Sequence, residues 1–221
     1  LLGTDDLGRD LYARMLYGGR VSLSIAMSTG IGAGLAGTAI GLTAGYFRRI
    51  DIPLMLLMDG LMAFPAILLA LAIVAALGPG YLNVSLALAL VYTPRIARVA
   101  RGSVLVVREM DYVETARAIG ARSGRILWRY LLPNILAPVL VQTTLLLAFA
   151  LLAEASLSFL GVGGPGESIS WGGIIAEGRL DLDVAPWLML YPGIAIAVTV
   201  LAVNILGDAL RDTLDPRLRG M

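Results

Sequence analysis

Charged residues divide this chain into long apolar runs. Residues 21–47, between Arg20 and Arg48, carry no charge and are long enough to cross a bilayer with some tilt. Residues 60–94 are also free of charge but too long for one helix, and Gly78-Pro79-Gly80 is a turn signal that divides them. The first part is expected to start near Pro53, with Asp59 in its opening turns. The second is expected from about 82 to 100, where Arg95 and Arg98 can snorkel toward the interface. Residues 130–153 and 184–207 complete five expected spans. The predicted fold class is all-α, a polytopic transmembrane helical bundle.

Five spans put the two chain ends on opposite sides, and arginine placement sets the direction, because cytoplasmic loops are enriched in positive charge. Thirteen of the 17 basic residues fall on one side, in Arg48-Arg49, residues 95–129 and the C-terminal tail. Four fall on the other, in residues 1–20 and the 154–183 loop. The expected division is an external segment, 1–20, and a transmembrane domain, 21–221, with a cytoplasmic segment at about 101–130. Gly30, Gly34, Gly37, Gly41 and Gly45 recur every three or four residues in the first run, which lets helix backbones approach closely in lipid. Packing inside the chain is the expected use, with contact between subunits the alternative.

Composition supports a membrane protein and excludes several chemistries. The chain is 58% hydrophobic and 15% charged, with a mean hydropathy of +0.83, whereas soluble domains are about a quarter charged. All basic residues are arginine. Without lysine there is no G-x-x-x-x-G-K-[ST] phosphate loop, so the chain is not a conventional P-loop ATPase. Without histidine or cysteine, His/Cys metal sites, histidine triads and thiol catalysis are absent. An intramembrane hydrolase would lack its serine–lysine or paired-aspartate chemistry. An ion-gradient carrier would bury coupling carboxylates in broken helices, and the clearest charge-free runs hold none.

Between two apolar stretches lie residues 111–133, DYVETARAIGARSGRILWRYLLP. Asp111 and Glu114 suit the positive end of a short helix, and Gly120 suits its stop. Ala116, Ala118 and Ala121 keep one side small, so another protein surface could come close. Arg117, Arg122, Arg125 and Arg129 could meet acidic partners or lipid headgroups; an ordinary basic juxtamembrane loop is the alternative. Two acids near the spans are candidates for a transport path, because charge in hydrocarbon is costly and usually functional. They are Asp59 and Glu154, the latter followed by Ser156 and Ser158. An interfacial position is the simpler reading of Asp59; for Glu154 it stands level with lining the exit of the path or meeting a binding protein.

Glu114-Thr115-Ala116, Gly120 and Leu132-Pro133 resemble the EAA motif of ABC-importer permeases, E-A-A-x3-G-x9-I-x-L-P, with threonine at the middle position and Tyr130 in the isoleucine slot. LGTDDLGRD at 2–10 resembles the L-G-T-D-x-x-G-R-D box of C-type permeases of dipeptide, oligopeptide and nickel importers. Glu154–Gly161, Trp171-Gly172, residues 204–212 and Leu214-Asp215-Pro216-Arg217 match further blocks of that group, so the resemblance covers essentially the whole chain. It implies that Asp111, Glu114, Thr115, Ala116, Arg117, Gly120 and Ala121 couple to an ATPase. It also implies that the 161–187 loop, with Trp171, faces an extracytoplasmic substrate-binding protein, and that the tail 208–219 anchors the last helix or touches the ATPase.

The implied partners are a homologous B-type permease, two cytoplasmic ATPase subunits that bind ATP and magnesium, the binding protein and the lipid bilayer, with no nucleic acid. The implied location is a prokaryotic inner membrane with a cytoplasmic C-terminus, and the implied cargo is dipeptides or oligopeptides, with nickel or oligosaccharides as alternatives. Members of this family carry six spans; the chain opens on Leu1 with no leader pattern, so a span upstream of residue 1 is expected.

Overall fold

The computed structural model describes residues 3–5, 7–163 and 169–214. Leu2 and Asp6 of the N-terminal block, and Asp215, Pro216 and Arg217 of the closing block, lie outside the described residues. Among those described the structure is helical, with a single antiparallel bridge between Thr4 and Asp10.

The first helix, α1 (Leu11–Tyr46), starts at Leu11 because the Asp10 carboxylate accepts the Tyr12 N–H at 3.1 Å and caps it. It therefore begins ten residues ahead of the charge-free run, inside the segment expected to lie outside. Two shorter helices follow, α2 (Arg48–Met62) and α3 (Ala66–Leu77), bent by 91°. Pro65 causes the bend: it has no N–H to donate and drives Phe64 out of helical conformation. Pro53, by contrast, lies within α2, where the chain tolerates one lost hydrogen bond. Asp59 is accordingly in the last turn of α2, not in the opening turns of a helix starting near Pro53.

Gly78, at φ +87°, ends α3, and the Asn83 amide donates to the Leu77 and Gly78 carbonyls at 3.1 and 3.0 Å to fix the turn into α4 (Tyr81–Val107). Beyond it come α5 (Asp111–Ala118) and α6 (Ser123–Ile126). A π-helical turn, Leu127–Leu131, then joins α6 to α7 (Leu132–Phe159). The chain finishes with α8 (Trp171–Gly178) and α9 (Trp187–Leu214).

Three helices are by themselves long and apolar enough to cross a membrane, Leu11–Tyr46, Ser123–Phe159 and Trp187–Thr213; the bent α2–α3 pair makes a fourth if it is one span. The five-span expectation also counted α4. Its 27 residues are enough, but Arg95, Arg98 and Arg101 dilute its hydropathy. Its buried face, with Leu88, Ile96, Ala97, Ala100 and Val104, packs against α1 and α7, while Leu82, Leu86, Leu90 and Val106 are exposed.

The glycine stripe explains how close that packing is. A Cβ on Gly41 would sit 2.5 Å from Ala97 O and Ala100 Cβ, and one on Gly37 2.5 Å from Ile96 Cβ. Gly45 meets Val104, while Gly30 and Gly34 turn toward Leu147 and Thr143 of α7. The stripe is thus an internal seam, the packing use expected from its spacing. At one end α8 closes the bundle: the Trp171 indole N–H donates to Met15 O at 2.9 Å, and its backbone N–H donates to Ser22 Oγ at 3.1 Å. The outer faces stay apolar, with Leu35, Leu56, Val198 and Leu201 all exposed.

Candidate functional site

The 111–121 segment forms one short helix with a defined stop. Asp111 and Glu114 occupy its first turn, where unpaired backbone N–H groups favour negative charge. The Thr115 hydroxyl donates to Asp111 O at 2.8 Å. At the far end Gly120 N–H donates to Arg117 O at 2.9 Å and Ala121 N–H donates to Ala116 O at 3.0 Å. This is a Schellman stop, and it requires the left-handed φ of +82° that Gly120 adopts. No atom lies within 4 Å of where a Cβ on Gly120 would stand.

Val113 and Ala116 are buried and hold the helix to the protein. Asp111, Glu114, Thr115, Arg117 and Gly120 are exposed, and Ala121 is half-buried. Among the seven residues expected to couple, the structure therefore presents five outward on one small helix and uses Ala116 as its inner contact.

Two aromatic contacts that the sequence did not reveal tie this helix to the bundle. Tyr112 stacks on Tyr130 at 6.4 Å between ring centres, with the rings 28° apart. Tyr130, off pattern in the motif, is thus a contact to α5 placed on the π-helical turn that leads into α7. The Arg117 guanidinium lies 5.4 Å from the centre of the Tyr46 ring at the end of α1. Beneath them, Arg108 donates to Gly45 O at 2.6 Å and to Glu109 Oε1 at 2.9 Å. These contacts link α5 to the end of α1 and to the π-helical turn that leads into α7.

The second group of candidates is not gathered in one place. Glu154 is fully buried in α7. Its Oε1 accepts from Ser158 Oγ at 2.7 Å, and Oε2 has no partner. Ser156 is half-buried and its hydroxyl turns back to Leu152 O at 2.8 Å. Trp171 is the buried clasp between α8 and α1. Asp59 is on α2 and pairs with Arg98 at 2.7 Å, both side chains about half-exposed. About two turns earlier on α2, Asp51 accepts from Arg101 Nε and Nη2 at 2.5 and 2.7 Å.

The N-terminal block folds into an ionic clamp at the α8 end of the bundle. Asp5 accepts from the Arg9 backbone and side chain, both at 2.7 Å, and from Arg14 Nη1 at 2.5 Å. Arg14 also reaches Glu177 of α8 at 2.5 Å. Burial alone would raise the Asp5 pKa, but the hydrogen bonds from Arg9 and Arg14 outweigh it and hold the carboxyl at about 2. The motif spacing points to Asp5 and Arg9; Arg14 and Glu177 are far apart in sequence, and nothing in it pairs them.

Comparison with known proteins gives the context. Residues 37–220 match the family described as binding-protein-dependent transport system inner membrane component. A putative peptide transport system permease protein of Brucella suis biovar 1 (strain 1330) is 54% identical over 220 residues, 99% of this chain and 74% of that protein. The dipeptide transport system permease protein of Alkalihalophilus pseudofirmus is 44% identical over 98% of this chain and 72% of its own length. The glutathione transport system permease protein of Pectobacterium atrosepticum is 42% identical, over 99% and 73%. In fold, the chain is similar to an inward-facing methionine ABC transporter structure, with TM-score 0.75 at 18% identity, covering 91% of this chain and 96% of that one. The chain belongs to the family of inner membrane components of binding-protein-dependent transport systems.

Proposed function

We propose that this chain is the permease subunit through which an ABC importer moves dipeptides or short oligopeptides, and that the helix Asp111–Ala118 with Gly120 seats in a groove of a separate ATPase subunit. The peptide cargo follows from the relatives, which are named for peptide, dipeptide and glutathione transport. The partners proposed are a homologous second permease, two ATPase subunits that bind ATP and its magnesium ion, and an external binding protein. In this reading the C-terminus and the α5 segment face the cytoplasm, and the 161–187 loop faces the binding protein.

The observation that carries the coupling role is the exposed face of α5, with open space above Gly120 and an aromatic contact from each side into α1 and α7. Closure of the ATPases would drag α5. The Tyr112–Tyr130 stack would pass that motion to the π-helical turn, a local geometry frequent at functional sites. The path would then alternate between inward- and outward-facing states, driven by ATP binding one state better than the other.

The test replaces Gly120 with asparagine, which tolerates the left-handed backbone and adds a side chain only in the open space. In the reconstituted complex, uptake and binding-protein-stimulated ATP hydrolysis should separate or both fall, while the subunit remains in the membrane. Normal coupled transport in Gly120→Asn and in Glu114→Gln together would remove the docking assignment.

A further inference from the structure

Two cavities follow one another along α1. The first is an apolar groove of about 540 Å³ between α1 and α7, with Leu35, Ala39 and Thr43 on one wall and Trp128, Leu136 and Leu140 on the other. Leu35, Trp128, Leu136 and Leu140 are exposed, so the groove opens on the outside of the bundle. It runs from Gly30 to Thr43 of α1, about 20 Å. One leaflet of a bilayer offers roughly 15 Å of hydrocarbon, so a modest tilt matches the two.

The second is a polar pocket of about 330 Å³ at the end of α1, where Arg48, Arg108, Arg117, Glu109 and Ser123 stand around Tyr46. Its lining holds three cations and one anion. Arg108 is satisfied by Glu109 at 2.9 Å and by Gly45 O at 2.6 Å. Arg48 and Arg117 pair with no carboxylate among the described residues, and Arg117 is held over the Tyr46 ring instead. Neighbouring acids leave that surplus in place. Asp51, one turn beyond Arg48, is taken by Arg101, and Glu114, one turn before Arg117, is exposed and makes no ion pair among the described residues. Arg49, Arg122 and Arg125, next to Arg48 and Ser123 in sequence, add further positive charge.

The groove ends at Thr43 and Leu127. Tyr46 and Ser123 of the pocket are the next turn along those same two walls, so about 5–6 Å separates groove from pocket on each. Trp128, 72% exposed, stands near this junction, and indole rings favour the boundary between lipid and water. An apolar slot one leaflet deep, with unpaired arginines and a hydroxyl beyond its end, has the length and polarity of a single phospholipid. A partner's helix fits it less well: at about 10 Å across, 20 Å of helix occupies about 1,600 Å³ and brings no anion to the arginines.

We infer that this site holds one anionic phospholipid of the leaflet on the α5 side. An acyl chain fills the α1–α7 groove, and the phosphate sits between Arg48, Arg117 and the Ser123 hydroxyl. Basic pockets among membrane helices recognise anionic headgroups in this way. Because Arg117 belongs to α5, the bound phosphate braces that helix against the end of α1.

The experiment purifies the complete complex in detergent, removes loosely held lipid and measures lipid retention by native mass spectrometry. Dioleoylphosphatidylglycerol, dioleoylphosphatidylcholine and inorganic phosphate are added back in separate titrations. The unaltered complex should hold phosphatidylglycerol at least about fivefold more tightly than phosphatidylcholine. Arg48→Gln should weaken phosphatidylglycerol about fivefold and leave phosphatidylcholine unchanged, since one arginine at a membrane surface is worth about that factor. Ala39→Trp, which fills the groove, should weaken both lipids. Arg48 is exposed, so its replacement disturbs no packing and decides the matter even if Ala39→Trp does not assemble. Equal retention of the two lipids, or unchanged phosphatidylglycerol in Arg48→Gln, would overturn the proposal. Inorganic phosphate binding as tightly as phosphatidylglycerol would overturn it and leave a free anion site. A phosphatidylglycerol preference that appears only after the ATPase subunits are removed would overturn it and assign the pocket to them. Loss of the second permease in Ala39→Trp, with lipid retention unchanged in Arg48→Gln, would overturn it and make the groove a subunit contact.

Discussion

Alanine at Gly41 tests whether the seam between α1 and α4 sets the architecture. The added Cβ would stand 2.5 Å from both Ala97 O and Ala100 Cβ and 2.8 Å from Arg101 N. Two of these are backbone atoms, so no rotamer change relieves the contact, and the two helices must separate by about 1 Å to restore ordinary packing. Overpacking of this kind costs about 1–3 kcal/mol. Alanine returns up to about 1 kcal/mol through its better helix propensity. The net loss should be about 1–2 kcal/mol, which for a chain of this size lowers the melting temperature by roughly 2–8 °C. Gly102→Ala is the matched control, because nothing lies within 4 Å of its added methyl and it too is helical. It should be neutral or slightly stabilising. The assay is thermal unfolding of the purified protein in detergent, followed by loss of the monodisperse peak. If Gly41→Ala melts with Gly102→Ala or above the unaltered protein, the seam does not control packing and the reasoning fails.

Further outcomes follow from the same contacts. Ser158→Ala removes the one hydrogen bond to buried Glu154 and should cost about 1–3 kcal/mol in unfolding measurements. Ser158→Ala combined with Glu154→Met should recover most of that loss, since two apolar groups leave nothing unpaired. Asp5, held at about 2 against an ordinary value of 3.8, stabilises the clamp fully above about pH 4. That contribution, about 2 kcal/mol, should fade as pH drops toward 2, and Asp5→Asn should flatten the acid limb of a stability-versus-pH curve. Because the chain contains no cysteine, Ile119→Cys and Leu180→Cys, at 78% and 82% exposed sites, give single labels. An impermeant maleimide should reach Ile119→Cys only from the cytoplasmic face and Leu180→Cys only from the outer face. The reverse pattern would invert the proposed orientation.

Local chemistry was readable where it depends on neighbours in sequence. Gly78 breaks a helix, Asp111, Glu114 and Gly120 bound α5, and the glycine spacing announces a close seam; the break at Pro65 was missed, though it too is a local signal. Each is a backbone effect acting over a few residues, so the chain alone determines it. The apolar runs likewise determine an all-helical membrane fold, because lipid leaves no other way to satisfy backbone polar groups.

Tertiary structure decided what depends on residues far apart. Helix α4 is long enough for a span but more polar than the others, and its small residues make sense only once α1 and α7 pack against it. Glu154 stands at the end of an apolar run, and only three-dimensional packing shows that it is completely buried. Tyr130 looked like a flaw in a motif until Tyr112 was placed against it. Asp59 found Arg98, and Arg14 found Glu177, 163 positions away, because ion pairs are chosen by distance in space. Periodicity and turn chemistry act along the chain and are written in it; charge pairing and burial are set between helices, and only the folded bundle fixes them.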